Sequence, residues 1–586
     1  MAEDQTQPSQ EPVAEPAENQ PKHQPAKSSR LQKYKEWYLS NRKVSIPATV
    51  VLVLVILAAV PFSRYAIAGT AYKKDFSLKI VDSTTGSPVS GATVTAGSAS
   101  AETNATGIAV LHHVSVGSKK LTITKKYYKD GSASMVVPIL KQKNVNQVQL
   151  TATGRQVKVT VTNTISKQPV ADAQITAAGA SSKTDKTGSA ILVVPANSTQ
   201  EKAAITLSGY NDAQATLKVS GDKVQDNAVS LTPAGKVYFL SKLSGKIDVV
   251  KTNLDGTDRQ TILAGTGKED DQNTVLLASR DWKYLALLSK RSGAVNPSLY
   301  LIDTGDDSLS TIDEGNASFT LAGWVDDNFV YTVDRNNVQQ WQANGQAIKS
   351  FNAASKKITT LAQNAASGSG SADYISESLG NVYAYDSQVY YTSSWQSYYQ
   401  GAQINSKQAT FNVVKPDGTG KKAIKSFAHG DLTSYGYGYV SLQVNTAIEK
   451  PDKVHLSYYD NSGQSYYIYT DGQVKEDTSP GAADSFNQSH PTFLQSPSGK
   501  NTFWVEPRDG KNTLFIGDED GENGNQIATL SDYNNYGWYT DDYLLVSKNS
   551  SELYAMSKDG KNVIKVSDYH KPAQFFYGYG GGYGGL

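Results

Sequence analysis

Tyrosine is the residue type whose number and spacing point most directly to a chemical role in this sequence. The chain of 586 residues has 35 Tyr, of which 28 follow Lys236 and 15 lie between Tyr374 and Tyr469. Strand burial accounts for about half of such a set, but Tyr and Trp interspersed with Ser and Gly are typical of rigid recognition surfaces, on which sugars can also stack. We therefore predict a ligand-binding surface. Its predicted residues are Trp395, Tyr398, Tyr399, Tyr435, Tyr437 and Tyr439.

Motifs for catalysis are weak. The sequence has no G-x-S-x-G elbow and no H-E-x-x-H helix. Gly265 to Lys268 reads like the end of a phosphate-binding loop, but Glu269 stands where Ser or Thr is needed. The Asp326-Asp327 and Asp541-Asp542 pairs could serve as acid and base in glycoside chemistry. Because they recur at equal places in two similar segments, we interpret them as turn formers and predict no catalytic residue and no cofactor.

Metal sites are also not predicted. The sequence contains no Cys, which excludes disulfides, thiolate zinc sites and iron–sulfur clusters. The adjacent His112 and His113 correspond to Val193 and Val194 in the repeat described below, and consecutive strand residues point to opposite faces. We therefore expect both histidines to be structural. The acidic stretch from Asp518 to Gly524 departs from the EF-hand pattern and is interpreted as a hairpin loop.

An uncharged apolar stretch of 19 residues, Val44 to Phe62, follows Arg42 and Lys43. As a helix it would span roughly 28 Å, about the hydrocarbon thickness of a bilayer. The excess of basic residues before it predicts a cytoplasmic N-terminus. Cleavage after Ala68 as a signal peptide is the alternative. Leu31, Tyr34, Trp37 and Tyr38 precede the stretch at helical spacing, which fits an interfacial helix or, equally, a solvated linker.

Two copies of one unit follow. A shift of 81 residues lays Phe76 to Gly154 over Val157 to Gly235, with period-2 strand patterns at both starts. The segments Gly86 to Val94 and Thr103 to Ala109 resemble the carboxypeptidase regulatory-like family, a transthyretin-type sandwich, and similarly the PEGA family. Lys167 and Asp172 replace Gly86 and Gly91 in the second copy. The resemblance implies two β-sandwich domains that act as spacers or recognition modules.

From Lys236 onward, strand patterns alternate with turn signals at about seven places, near residues 236, 274, 318, 370, 432, 489 and 534. Ser496 to Lys500 and, in degraded form, Ser279 to Leu287 resemble the "S-P-D-G-K-x-L-A-F" motif of the TolB-type WD-like β-propeller. The first unit lacks an inner strand, and we expect Gln574 to Tyr577 to supply it and close the ring.

The predicted fold is mainly β: an N-terminal transmembrane helix, two β-sandwich domains and a propeller of about seven blades. The predicted divisions are a disordered cytoplasmic tail with a basic juxtamembrane segment (1–43), the transmembrane helix (44–63), two β-sandwich repeats (75–154 and 155–235), the propeller (236–577) and a Gly/Tyr-rich tail (578–586).

The net charge of +1 argues against nucleic-acid binding through bulk charge. A large ectodomain without Cys favours a bacterial envelope. We therefore expect a single-pass protein of the cell membrane, with its C-terminus outside, that binds an envelope protein or glycan through the propeller. The alternatives are a propeller enzyme acting on envelope glycans and a TolB-like envelope-assembly scaffold.

Overall fold

The computed structural model describes residues 30–570 except 60–71, 141–143, 222, 372, 386, 399–403, 405, 429–438, 441–444, 451–452, 460–461, 463, 477–493, 519–520, 522, 528–532 and 550. The expected tail strand at Gln574 to Tyr577 lies outside these residues. The chain is mainly β, as predicted, and the described part begins with two helices, α1 (Arg30–Ser40) and α2 (Arg42–Ala59).

In the described part of the chain, neither helix alone has the length and apolar character of a membrane span. Taken together, Arg30–Ser40 and Arg42–Ile56 pass both criteria, but they are bent by 108° relative to each other. The large apolar side chains of α2 between Val44 and Ile56 are about half exposed.

The first repeat (75–154) and the second repeat (155–235) each consist of one three-stranded and one four-stranded sheet that enclose a single hydrophobic core. The orders are β4-β1-β7 with β3-β2-β5-β6, and β11-β8-β14 with β10-β9-β12-β13. The first-repeat strands are β1 (Lys73–Asp82), β2 (Thr93–Ala96), β3 (Ala99–Glu102), β4 (Ile108–Ser115), β5 (Gly117–Thr124), β6 (Gly131–Val137) and β7 (Asn146–Leu150). The second-repeat strands are β8 (Arg155–Asn163), β9 (Gln174–Ala177), β10 (Ala180–Lys183), β11 (Ser189–Val194), β12 (Gln200–Thr206), β13 (Ala213–Lys218) and β14 (Gln225–Leu231).

The recurrent Thr-(Asn/Asp)-x-x-Gly segment has a structural use in both repeats. In the second, the fully buried Thr184 hydroxyl donates to the Val170 carbonyl at 2.7 Å and accepts from the Ala173 N–H at 2.9 Å. Thr103 makes the matching pair of bonds in the first. Gly188 has a φ of +73°, and a Cβ there would lie 2.4 Å from the Val161 carbonyl oxygen, which only glycine avoids.

Replacing Thr184 with Val is therefore expected to lower the local stability of the second repeat by about 1–3 kcal/mol, because two buried backbone groups lose their partner. Hydrogen exchange of β9 and β10 in the full chain, read by mass spectrometry, measures the change. Thr184→Ser keeps the hydroxyl and is the matched control. Equal exchange in the Val and Ser variants would contradict the assignment.

Two features of the repeats differ from the simple pattern. Lys167 and Asp172, which replace glycines, keep the left-handed backbone of those glycines, with φ of 58° and 61°.

His112 and His113 do not alternate across a regular strand as expected, because the pairing of β1 with β4 shifts there and His113 has a φ of 57°. Both side chains are exposed, and His112 contacts Asp75 at 3.0 Å. No group of three metal-ligating side chains occurs among the described residues.

Among the described residues, seven antiparallel sheets follow, in line with the prediction of about seven propeller blades. Blades 1 to 3 are β15 (Val237–Ser241), β16 (Asp248–Thr252) and β17 (Gln260–Leu263); β18 (Val275–Ala278), β19 (Tyr284–Ser289), β20 (Ser298–Asp303) and β21 (Ser308–Asp313); and β22 (Ala317–Val325), β23 (Asn328–Arg335), β24 (Gln346–Asn352) and β25 (Lys357–Gln363). Blade 4 is β26 (Ala366–Gly370), β27 (Asp373–Tyr385), β28 (Gln388–Tyr398), β29 (Gln408–Val414), β30 (Lys422–Ala428) and β31 (Tyr439–Val440). Blades 5 to 7 are β32 (Asn445–Lys450), β33 (Lys453–Tyr459), β34 (Ser465–Tyr469) and β35 (Val474–Glu476); β36 (Leu494–Gln495), β37 (Asn501–Arg508), β38 (Lys511–Asp518) and β39 (Asn525–Ile527); and β40 (Tyr533–Thr540), β41 (Tyr543–Lys548), β42 (Glu552–Ser557) and β43 (Val563–Asp568).

Among the described residues, hydrophobic clusters join blades 2 and 3, blades 3 and 4, blades 4 and 5, and blades 6 and 7. One further cluster joins blades 1, 2 and 7, so the first and last blades pack together. Arg259 of blade 1 donates to Ser567 of blade 7. Blade 1 has only three strands among the described residues. At the edge of β15, the His570 N–H donates to the Leu240 carbonyl at 2.8 Å, two residues after β43 ends.

The second repeat is joined to the propeller at this seam. Ile165, only 1% exposed, belongs to the hydrophobic cluster of blades 1, 2 and 7. The Asn163 amide donates to the Tyr543 hydroxyl of blade 7 at 2.6 Å, and the Asn562 amide of blade 7 donates to the Ser166 carbonyl at 3.0 Å. Burial raises the pKa of Tyr543 to about 12, although the Asn163 hydrogen bond opposes this shift. The loop 163–166 is therefore a wedge against the first and last blades.

In the first repeat, the position equivalent to Asn163 connects that repeat to the second one. Asp82, 81 residues before Asn163, accepts N–H bonds from Thr84 and Thr85, as Asn163 does from Ile165 and Ser166. The second carboxylate oxygen of Asp82 accepts from the Gln156 amide of the next unit at 2.7 Å. One repeated position thus connects each unit to the unit that follows it.

Candidate functional site

The two ends of the propeller differ in what they contact. Neighbouring strands in each blade are antiparallel, so the turns between its first and second and between its third and fourth strands lie at one end. In blade 7 these two turns carry Tyr543 and Asn562, the residues that contact the second repeat. We call this the repeat-side end and the opposite one the far end.

Blade 4 extends beyond its neighbours at the far end. The turn between Tyr385 and Gln388 lies at the repeat-side end, so Asp373 and Tyr398 are at the far end. Past Ser393, β28 no longer pairs with β29 and pairs with β31 instead. We define the blade-4 extension as β26, the Asp373–Ser378 part of β27, the Ser393–Tyr398 part of β28, and β31.

This extension holds three of the six predicted binding residues. Trp395 and Tyr398 lie on β28, and Tyr439 lies on β31, where it is the backbone partner of Gln396. Tyr399, Tyr435 and Tyr437 lie outside the described residues. The binding prediction itself stays a prediction, since the contacts identify no ligand.

Trp395 has a structural role in addition to any binding role. Its half-buried ring packs against the blade-4 core that contains Ile375 and Phe411. The ammonium of Lys407 lies 4.2 Å from the ring centroid, within the range of a cation–π contact. Trp395 therefore presents a ring that is already held in place, which lowers the entropy lost when a ligand binds.

Polar contacts fix the base of the extension. The Glu377 carboxylate accepts the Ser393 hydroxyl and, at 2.9 Å, the Ala365 N–H. The Gln396 amide donates to the Ser376 hydroxyl at 3.2 Å. Burial, and then the nearby Glu377 charge, raise the pKa of Tyr391 to about 12, so this tyrosine is a neutral core residue. Tyr391 is therefore one of the tyrosines that the sequence analysis attributes to buried strand positions and not to the binding surface.

A second aromatic group from blade 3 adjoins the extension. The rings of Trp341 and Tyr374 have centroids 6.4 Å apart, and the Tyr374 hydroxyl donates to the Gln340 side-chain oxygen at 2.9 Å. Sequence reasoning missed Glu377, Lys407 and Trp341. A Trp, a Glu and a Lys far apart in sequence give no local signal. The pairing of β26 to β28 and the start of β29 place Glu377 and Lys407 in the extension, and the blade-3 turn between β23 and β24 brings Trp341 to Tyr374.

The rejected catalytic motifs have structural uses. The Thr266 and Gly267 N–H groups donate to the Glu269 carboxylate at 2.9 and 2.8 Å, so the chain's own anion occupies the donors that a phosphate would need. Burial opposes ionisation of Glu269, but these N–H donors outweigh it and hold its pKa below the ordinary value. Asp326 and Asp541 lie in tight turns of blades 3 and 7, as expected, and Asp541 accepts the Ser498 N–H at 2.9 Å.

Comparisons with known proteins identify no family for this chain. No family model and no curated protein matches this chain. Among solved structures, an oligogalacturonate lyase in complex with manganese is 12% identical, with a TM-score of 0.31, covering 56% of this chain and 84% of its own. TolB from Acinetobacter baumannii is 12% identical, with a TM-score of 0.25, covering 55% and 74%. The β-propeller domain of the Trilobed protease from Pyrococcus furiosus is 11% identical, with a TM-score of 0.32, covering 64% and 96%.

Proposed function

We propose that this chain is a membrane-anchored binding protein whose propeller presents the blade-4 extension to a protein or glycan of the cell envelope. The position of the blade-4 extension at the far end of the propeller is the main support for this proposal. The extension projects from the far end of the propeller, opposite the end that contacts the second repeat, and it carries Trp395, Tyr398 and Tyr439 on adjacent strands.

The anchor in this proposal is α2. Its apolar side chains are exposed along its length, from Val44 at 64% to Ile56 at 51%, and burial of such a surface in lipid is strongly favourable. The described helix ends at Ala59, within the apolar stretch that continues to Phe62 in the sequence. The two repeats then serve as a stalk, because the clamps at Asp82 and Asn163 hold successive units in fixed relation.

The surface composition favours a ligand with both flat apolar faces and hydrogen-bonding groups. The Trp395 ring, held by its contacts, supplies contact area at low entropy cost, and Ser and Gln side chains are groups that can form hydrogen bonds. Glycans and polar protein loops both have this character. We expect non-covalent binding at this surface.

The test is a binding screen with the full chain in nanodiscs, on a glycan array and on whole bacterial cells. Saturable binding to a glycan class or a cell surface supports the proposal. Conversion of an array glycan to a shorter product would favour the glycan-acting enzyme. Recovery of envelope proteins without any glycan or cell-surface binding would favour the TolB-like assembly scaffold.

A further inference from the structure

Helix α1 is a short helix that contacts α2 through Tyr38, and its other large apolar side chains are exposed. Four of its large side chains are exposed: Leu31 at 82%, Tyr34 at 67%, Trp37 at 51% and Leu39 at 47%. At 100° per residue, Leu31, Tyr34, Tyr38 and Leu39 fall within one arc of about 140°. An exposed cluster of aromatic and leucine side chains such as this one marks a site of interaction with a protein or a membrane.

The charge of this region indicates the partner. Arg30, Lys33 and Lys35 lie on α1, and Arg42 and Lys43 begin α2, while Glu36 is the only acidic residue of the two helices. Lys35 lies inside the apolar arc, where its long stem can cover apolar surface while the ammonium reaches a phosphate. Basic residues beside a membrane-entering segment bind anionic headgroups at roughly 1 kcal/mol each.

The angle between the helices is fixed by hydrogen bonds. The Ser45 hydroxyl donates to the Tyr38 carbonyl at 2.7 Å, and the Tyr38 hydroxyl donates to Thr49 Oγ1 at 2.8 Å. The Asn41 amide donates to the Trp37 carbonyl at 3.1 Å. With α2 along the bilayer normal, a bend of 108° leaves α1 only about 18° from the membrane plane (108° less 90°), inclined towards the lipid.

We propose that α1 binds the surface of an anionic bilayer, with Leu31 and Tyr34 among the lipid tails and the basic side chains at the phosphates. The proposal rests on the anchoring part of the proposed function. It goes further because it assigns a lipid class to a surface outside the propeller. Arg30 to Lys43 then forms a collar that sets the depth and orientation of the anchor.

Because the chain has no Cys, single cysteines can report on each face of α1. Leu31→Cys and Ser40→Cys, nine residues and therefore half a turn apart in phase, carry an environment-sensitive nitrobenzoxadiazole label in the full chain. Each is placed in nanodiscs of phosphatidylcholine alone and of phosphatidylcholine with a quarter phosphatidylglycerol. We expect a blue-shifted, brighter signal at residue 31 in the anionic discs only, and a water-like signal at residue 40 in both.

Two further arms make the result decisive. The double variant Lys33→Gln with Lys35→Gln should lower the affinity of α1 for the anionic lipid surface, read from the residue-31 label, roughly 30-fold. Salt at 1 M should suppress the response of that label to anionic lipid. Equal signals in the two disc types, or a water-like residue 31 in both, would overturn the proposal. Alkaline extraction of native membranes tests the anchor separately, since release of the chain contradicts the proposed anchoring whatever the label reports.

Discussion

Replacing Ile165 with Ala is expected to lower the free energy of unfolding of the propeller by about 2–5 kcal/mol, although Ile165 belongs to the second repeat. Its side chain is buried in the cluster that joins blades 1, 2 and 7, and truncation leaves a cavity at the seam where the ring meets. Six of the seven tryptophans follow Lys236, so tryptophan fluorescence during urea unfolding of the full chain reports mainly on the propeller.

The repeat itself supplies the control for this experiment. Thr84 occupies the corresponding position of the first repeat and is exposed, so Thr84→Ala should leave the fluorescence transition unchanged. Ile165→Val removes one methylene and should cost about 0.5–1.5 kcal/mol. A fluorescence midpoint for Ile165→Ala equal to that of the Thr84 variant would mean that the wedge does not support the ring.

Deletion of residues 573–586 is expected to lower the melting temperature of the propeller by roughly 5–10 °C, as follows from the loss of a few kcal/mol in a domain of this size. The reason is the incomplete first blade. β15 is fully buried, and the Leu240 carbonyl at its edge accepts the His570 N–H. A strand continuing from His570 would be antiparallel to β15, as an inner strand requires.

A shorter deletion separates this effect from a general effect of the tail. Removal of residues 578–586 alone keeps Gln574 to Tyr577 and should leave the melting temperature within about 1 °C of the full chain. An unchanged melting temperature after the longer deletion would contradict ring closure by the C-terminal segment.

Much of the fold could be predicted from sequence because its signals are local or periodic. The 81-residue repeat is visible in Thr103 and Thr184, and the structure explains why, since each hydroxyl satisfies two buried backbone groups. The number of blades followed from the spacing of turns such as Asp326-Asp327 and Asp541-Asp542.

Features that depend on long-range contacts could not be predicted. Ile165 follows a strand in a turn, and nothing local in the sequence shows that it is buried in another unit. Likewise, Trp395 is conspicuous in sequence, but its contact with Lys407 and its pairing next to β31 follow from sheet register. The prediction for His112 and His113 was wrong for a different reason. It relied on the regular alternation of side chains along a strand, but the pairing of β1 with β4 is shifted there and His113 has a left-handed backbone.

The central claim is that the blade-4 extension is the binding surface, and one comparison of affinities tests it most directly. The ligand or cell type found in the screen is titrated against the full chain and against the triple variant Trp395→Ala, Tyr398→Ala and Tyr399→Ala. Tyr284→Ala removes a half-buried aromatic ring that stacks on Trp324 at the repeat-side end, and is the control. We predict at least a roughly 10-fold loss of affinity for the triple variant, as for the loss of central aromatic contacts, and none for the control. Unchanged affinity in a triple variant that retains its fold would contradict the claim.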